Sequence, residues 1–176
     1  MSTRISDRIR WGVDAIGIQP SDHVLEIGCG HGVAVSLVCD RLDDGRITAI
    51  DRSAKMIAAA RTRNARCIDA GKADLVRVAF PDDDLGGRRF SKVFAIHVPL
   101  FRGDRDAALA RLRRRVAPGG TVHLIGQPLR DEDVAPWVRS TTGHLAAAGL
   151  DVLAPRFSDH RPVRTACVSA TMTEAG

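Results

Sequence analysis

Tyrosine is absent from this chain, and aromatic residues of all kinds make up only 4% of it. Single-stranded nucleic acid is held by stacking its bases on aromatic faces, so this scarcity weighs against such a partner. No apolar run is long enough to cross a bilayer. The start of the chain, Met1-Ser2-Thr3-Arg4-Ile5-Ser6-Asp7-Arg8, has no apolar core of the kind a secretory signal needs. The expectation is a cytoplasmic protein without a membrane partner. The four cysteines, Cys29, Cys39, Cys67 and Cys167, form no CxxC pair and no zinc-finger spacing. They read as reduced, buried thiols, with no disulfide framework and no metal site.

What is present fits one globular domain over residues 1–176, with 44% hydrophobic and 27% charged residues. The net charge of +5 comes from arginine and permits a nucleic-acid partner without establishing one. Its densest patch is Arg111, Arg113, Arg114 and Arg115. On a helix, Leu109, Leu112 and Val116 would share one face and Arg111 and Arg114 would point away from it, so the patch reads as a solvated outer surface.

Hydrophobic periodicity divides the chain into elements. Ile5, Ile9, Val13 and Ile16 outline a leading helix within residues 1–20, ended by Gly17 and the turn at Pro20. Strands are expected at residues 23–27, 46–50, 73–80, 90–98 and 121–125, with two more at 150–153 and 164–171. Helices are expected at 32–42, 54–70, 104–116 and 131–148. The stretch 81–87 reads as a loop whose acids Asp82, Asp83 and Asp84 are solvated, and Pro155 to Pro162 reads as a second polar loop. Written as alternating strands and helices, this order predicts an α/β doubly wound sheet. Seven strands, mostly parallel, would carry helices on both faces and an antiparallel hairpin at the C-terminal edge.

The stretch Val24-Leu25-Glu26-Ile27-Gly28-Cys29-Gly30-His31-Gly32 organises the rest. A strand opens into alternating glycines, which let a ligand approach the backbone, and a helix start follows with its free N–H groups. The next strand ends in Asp51, placed to accept hydrogen bonds from both hydroxyls of a ribose. Val33 stands where a dinucleotide fingerprint needs its third glycine, and Glu26 would repel a pyrophosphate while suiting a cation. The pocket therefore points toward a cationic nucleoside cofactor.

Together these residues resemble the class I S-adenosylmethionine-dependent methyltransferases. The glycine stretch matches the family's first motif. Ile50-Asp51-Arg52-Ser53 with Met56 matches the segment after strand two. Phe90-Ser91-Lys92-Val93 and Pro118-Gly119-Gly120 match later ones. Ser91 stands where the family often has Asp. The resemblance implies S-adenosyl-L-methionine as cofactor and S-adenosyl-L-homocysteine as product. It implies that Gly28, Cys29, Gly30 and Gly32 line the cofactor, that Glu26 faces its cationic methionine end, and that Asp51 binds the ribose. Arg52 and Met56 would flank the adenine, and His97 and Val98 would line the floor near the sulfonium. Ala79, followed by Phe80, occupies the position where the family commonly reads the adenine amino group with an acid.

His97 is the candidate catalytic base, since its ordinary pKa suits proton transfer near neutrality. The competing reading is a histidine that only lines the pocket. His31 reads as a loop residue, and His160 as an exposed residue of the last loop, a neutral decoration sooner than a cap over the substrate. Trp11 and Arg10 would line the entrance if the leading helix covers the cofactor; otherwise Trp11 simply packs. Trp137 reads as a core or pocket-wall residue. His97-Val98-Pro99-Leu100-Phe101 replaces the Asn/Asp-Pro-Pro-aromatic motif of base amino-methylation, and no Pro-Cys nucleophile occurs. A small-molecule acceptor is therefore expected, under the leading helix, the loop from Phe101 to Asp104 and the segment from Gly126 to Asp133. Self-association as a homodimer stays open. A nicotinamide-dependent oxidoreductase and a non-catalytic S-adenosylmethionine-binding protein are the alternatives.

Overall fold

The computed structural model describes residues 6–82 and 84–173. Ile5 of the leading helix and Asp83 of the acidic loop lie outside the described residues. In chain order the elements are α1 (Asp7–Ile16), β1 (His23–Ile27), α2 (Val33–Cys39), β2 (Arg46–Asp51), α3 (Ala54–Arg63) and α4 (Ala65–Asp69). Then come β3 (Ala73–Arg77), β4 (Phe90–Ile96), α5 (Arg105–Arg115), β5 (Val116–Gly126) and α6 (Val134–Ala147). The chain closes with β6 (Asp151–Val152), β7 (Arg156–Phe157) and β8 (Ala166–Thr171).

The sheet runs β3-β2-β1-β4-β5-β8-β6, with β7 also on β8. The first five strands are parallel, and β8 is antiparallel to its neighbours. Strand order reverses between β1 and β4, so a crevice opens at their carboxyl ends. Two apolar cores flank the sheet. Val13, Val24, Val35 and Ile57 belong to the one under α1 to α3. Leu25, Ile27, Leu112 and Leu145 belong to the one under α5 and α6. Alternation along β1 therefore sends Glu26 to the same face as Val24. Ser91 accepts the His23 N–H at 3.1 Å and donates to Asp22 Oδ1 at 2.8 Å, fastening the foot of β4 to that of β1.

Several boundaries differ from expectation. The helix expected over 54–70 breaks at Asn64, and β3 ends at Arg77, leaving Ala79 and Phe80 in a loop. No helix lies between β3 and β4 among the described residues, so the strict alternation fails at this crossover. Leu85, 3% exposed, supplies that loop's apolar contact to the second core. The arginine patch is not simply a solvated face. Arg111 Nε donates to the Pro81 carbonyl at 2.7 Å, and buried Arg115 donates to the Arg88 carbonyl at 3.2 Å. A long guanidinium stem covers apolar surface while its head satisfies loop carbonyls, so α5 replaces the missing helix with side-chain ties.

The hairpin forms, but β8 inserts between β5 and the edge instead of lying at the edge itself. The second polar loop contains β7, and Pro155, which has no N–H to give, separates β6 from β7. Pro118-Gly119-Gly120 falls inside the long β5, and Gly119 N–H is taken by the Met172 carbonyl at 3.0 Å.

Candidate active site

The glycine loop is tied to β2 through backbone groups. The Ile50 carbonyl accepts both Gly28 N–H at 2.8 Å and Cys29 N–H at 2.9 Å. Asp51 Oδ2 accepts Gly30 N–H at 3.0 Å, and Oδ1 accepts Ser53 N–H at 2.8 Å. Each oxygen keeps a second lone pair, so the carboxylate can still receive two hydroxyl donors. Ser53 caps α3 by accepting Met56 N–H, which places Met56, half-buried, beside exposed Arg52.

Two glycines here have no substitute. Gly28 has φ of 74°, and a Cβ on it would stand 2.5 Å from Val98 Cγ2. Gly32 has φ of 73°, and its Cβ would lie 2.5 Å from Asn64 Nδ2 and 2.8 Å from Ala60 Cβ. Gly30 instead faces open space, with nothing within 4 Å of its Cβ position. The backbone at Gly30 is therefore open to the cleft. Asn64, 2% exposed, was legible only as part of a helix stripe. It donates to the Gly32 and Ala60 carbonyls and accepts from Ser36 Oγ at 2.7 Å, locking the loop to α3. An Asn whose side chain competes for backbone groups in mid-helix is the signal that marks it.

Glu26 lies 3% exposed behind the loop, and its Oε2 has no hydrogen-bond partner among the described residues. Burial, and secondarily the charge of Asp51, push its pKa up to about 8. An unpartnered buried acid is costly, and a positively charged group bound beside it would remove the cost. Neighbouring Cys29 is a poor nucleophile, because burial and then Glu26 and Asp51 hold its thiol protonated.

Val78 N–H bonds to the Asp51 carbonyl at 3.1 Å, which brings half-buried Ala79 and Phe80 to the flank of Asp51. Across the loop, β4 ends in His97, a non-glycine residue at φ 58°, a sparsely populated conformation. Its N–H goes to the Ile125 carbonyl at 2.9 Å, and its Nδ1 accepts Gln127 N–H at 3.2 Å. The neutral ring then carries its proton on Nε2. Although His97 is an exposed residue, the protein around the ring, and then Arg8, lower its pKa.

Beyond Val98 a cavity of about 290 Å³ is lined by Leu100, Phe101, Leu124, Trp137 and Thr141. Trp137, expected in the core or the pocket wall, forms part of this wall and packs on Gly126, whose Cβ would meet its Cζ2 at 2.5 Å. After the end of β5, Gln127 Nε2 donates to the Val163 carbonyl at 2.7 Å, and Arg164 makes a two-pronged ion pair with Asp131 at 3.0 Å. His160 folds back onto Thr165 at 3.3 Å instead of reaching over the cleft, and His31 is exposed on the loop. The body of α1 lies on the sheet, with Gly12 against Ile125 and Ile96, and Trp11 packs on the first core.

Thus the structure brings together Glu26, Gly28, Cys29, Gly30, Asp51 and Val98, with Ala79 and Phe80 on one flank and His97 on the other. It does not bring Trp11 or His160 there. The donor set suits an adenosyl cofactor with a cationic tail, with an unpartnered acid for the cation, a carboxylate for the ribose and bare backbone at Gly30.

Residues 24–120 match the model of the methyltransferase domain family. The uncharacterized methyltransferase YdaC of Bacillus subtilis is 24% identical over 92% of this chain and 89% of its own length. A trans-aconitate 2-methyltransferase of Azoarcus is 29% identical over 85% of this chain, which spans 58% of that relative. An S-adenosylmethionine-dependent methyltransferase from Aquifex aeolicus superposes with a TM-score of 0.77 at 17% identity, over 94% of this chain and 89% of that one. This last likeness bears on the fold alone.

Proposed function

This chain belongs to the methyltransferase domain family, and we propose that it moves the methyl group of S-adenosylmethionine onto a small-molecule acceptor, releasing S-adenosylhomocysteine. Its fold and family are those of a class I methyltransferase enzyme. The observation that carries the cofactor reading is the pair of acids on either side of the glycine loop. Glu26 is buried without a partner for Oε2, and Asp51 is held by two backbone N–H groups. The first would take the cationic methionine end, the second the ribose, and Gly30 leaves room between them. Met56, Ala79 and Phe80 would enclose the adenine through apolar and backbone contact.

S-adenosylmethionine supplies an activated, electrophilic methyl group, so the protein must chiefly place a nucleophile in line with it. Val98 and the cavity behind it position the acceptor. With Nδ1 occupied by Gln127 N–H, His97 offers Nε2–H as a donor, which supports the lining role over that of a base. A base is needed only for a nucleophile that arrives protonated. The small cavity supports a small acceptor, and relatives named for trans-aconitate point the same way. We read residues 1–176 as one domain acting in the cytoplasm.

Calorimetric titration with S-adenosylhomocysteine, NAD and ATP tests this. Binding of the first alone is expected. Binding of NAD instead would return the oxidoreductase alternative, which has no support among the relatives. Turnover of a supplied acceptor separates an enzyme from a protein that only binds the cofactor.

A further inference from the structure

A second concavity, of about 620 Å³, runs between α5 and α6. Arg105 and Arg113 border it from α5, and Arg139, Ser140, Gly143 and His144 from α6. Three guanidinium groups meet one carboxylate there, that of Asp106, which pairs with Arg105 at 3.1 Å. Arg113 uses one nitrogen to cap the Ala148 carbonyl at 2.6 Å. Arg139 has no hydrogen-bond or ion-pair partner among the described residues. Like charges that face one groove repel each other until an anion enters.

The groove adjoins the acceptor cavity. His144 and Ser140 line both. The wall between them is the His144 ring against Phe101, with centroids 4.7 Å apart. His144 Nδ1 is shut off from solvent and has no partner among the described residues. Burial lowers its pKa, and Arg105 lowers it further, a sign of the positive field in the groove. From the cofactor side the order is therefore Gly28, Val98, apolar cavity, the Phe101–His144 wall, then arginines.

We infer that the acceptor has an apolar body ending in an anionic group, carboxylate or phosphate, which the groove between α5 and α6 holds through Arg105 and Arg139. The inference rests on the methyl-transfer reading for the name "acceptor"; the groove's charge preference stands by itself. The nucleophilic end lies at Val98, the body fills the apolar cavity, and the anionic end passes the Phe101–His144 contact to reach the arginines. A neutral acceptor would leave the three arginines with Asp106 as the groove's single counter-charge.

The test uses two matched probes, 4-phenylbutyrate and 4-phenylbutan-1-ol, titrated into the full chain with and without S-adenosylhomocysteine. The acid is expected to bind at least tenfold more tightly than the alcohol. The double variant Arg105→Ala/Arg139→Ala is expected to erase that ratio, with the melting temperature and S-adenosylhomocysteine affinity unchanged, while Arg114→Ala leaves it intact. Equal binding of acid and alcohol, a ratio that survives the double variant, or binding of neither probe overturns the inference. Failure of S-adenosylhomocysteine to bind overturns the methyl-transfer reading instead, and the acid-to-alcohol ratio is still read without it.

Discussion

Around the glycine loop, most contacts that set the geometry are backbone to backbone or end on short side chains, although Arg63 Nε also donates to the His31 carbonyl at 3.1 Å. Ile50 accepts two amides, Asp51 two more, and Asn64 spans Gly32 and Ala60. Over α5 and the segments that follow β5, long side chains reach across loops instead, from Arg111, Arg113, Gln127 and Arg164. A short buried side chain loses little entropy when fixed, whereas an arginine or glutamine loses much. The cofactor half is thus stiff and intolerant of added atoms. The acceptor half is held by contacts that sequence change can rearrange without disturbing the sheet, and one fold can then serve different acceptors.

The largest effect should separate two glycines of one loop. Gly32→Ala forces a Cβ to 2.8 Å from Ala60 Cβ at positive φ, so α2 or α3 must move. A loss of about 3–4 kcal/mol is expected by chemical denaturation, from overpacking plus left-handed strain. Gly30→Ala meets nothing within 4 Å. It should cost only about 1 kcal/mol of stability yet weaken S-adenosylhomocysteine binding by more than tenfold. Equal stability losses at the two positions would break the claim that Gly30 is kept bare for a ligand.

Next comes Asp51→Ala, which removes the acceptor of two backbone amides and the proposed ribose partner together. Cofactor affinity should fall on the order of 100-fold, as when a charged hydrogen-bonding group is lost from a partly buried site. Calorimetry with S-adenosylhomocysteine reads this directly, and an unchanged affinity would sink the cofactor reading.

The same contrast decides what was legible in the sequence. The stiff half follows local rules. Gly28, Gly30 and Gly32 mark a loop because only glycine adopts those angles cheaply, and Asp51 is fixed by the end of a regular strand. The strands at 23–27 and 46–51 fall within a residue of where alternation and β-branching put them. The other half depends on contacts far apart in sequence. Nothing local in Arg111 says that it meets Pro81, 30 positions away, and an exposed and a tied arginine share one pattern on a helix. Strict alternation predicts a helix between β3 and β4 that the described residues do not form, although 81–87 itself reads as a loop. Asn64 failed for a third reason, since its side chain rather than its place in the period decides its role.

Glu26 gives a prediction in pH. Its pKa is about 8 in the folded chain against 4.5 for an ordinary glutamate, so between these values the folded state holds a proton that the unfolded state has released. Stability therefore falls as pH rises through that window, by about 2 kcal/mol from pH 6 to 8. Buried His123, pushed down to about 3, gives the opposite slope, but only below the ordinary histidine value. Subtracting the profile of Glu26→Gln cancels it. S-adenosylmethionine, by giving Glu26 a cationic partner, should flatten the loss. A flat difference profile without ligand would show that Glu26 is not the strained member of the acid pair.

The smallest effect probes where the two halves touch. Arg111 holds Pro81, next to Ala79 and Phe80, so a tie of the adjustable kind stands beside the proposed adenine wall. Arg111→Ala should cost about 1 kcal/mol of stability, the loss of a charged hydrogen bond on a half-buried loop. If Val78 N–H on the Asp51 carbonyl is what fixes that wall, S-adenosylhomocysteine affinity should change less than twofold, because the backbone bond survives. A tenfold loss on calorimetry would place the adenine end under side-chain control. The boundary between stiff and adjustable would then run through the cofactor itself, between a ribose held by Asp51 and an adenine held by whatever α5 supplies.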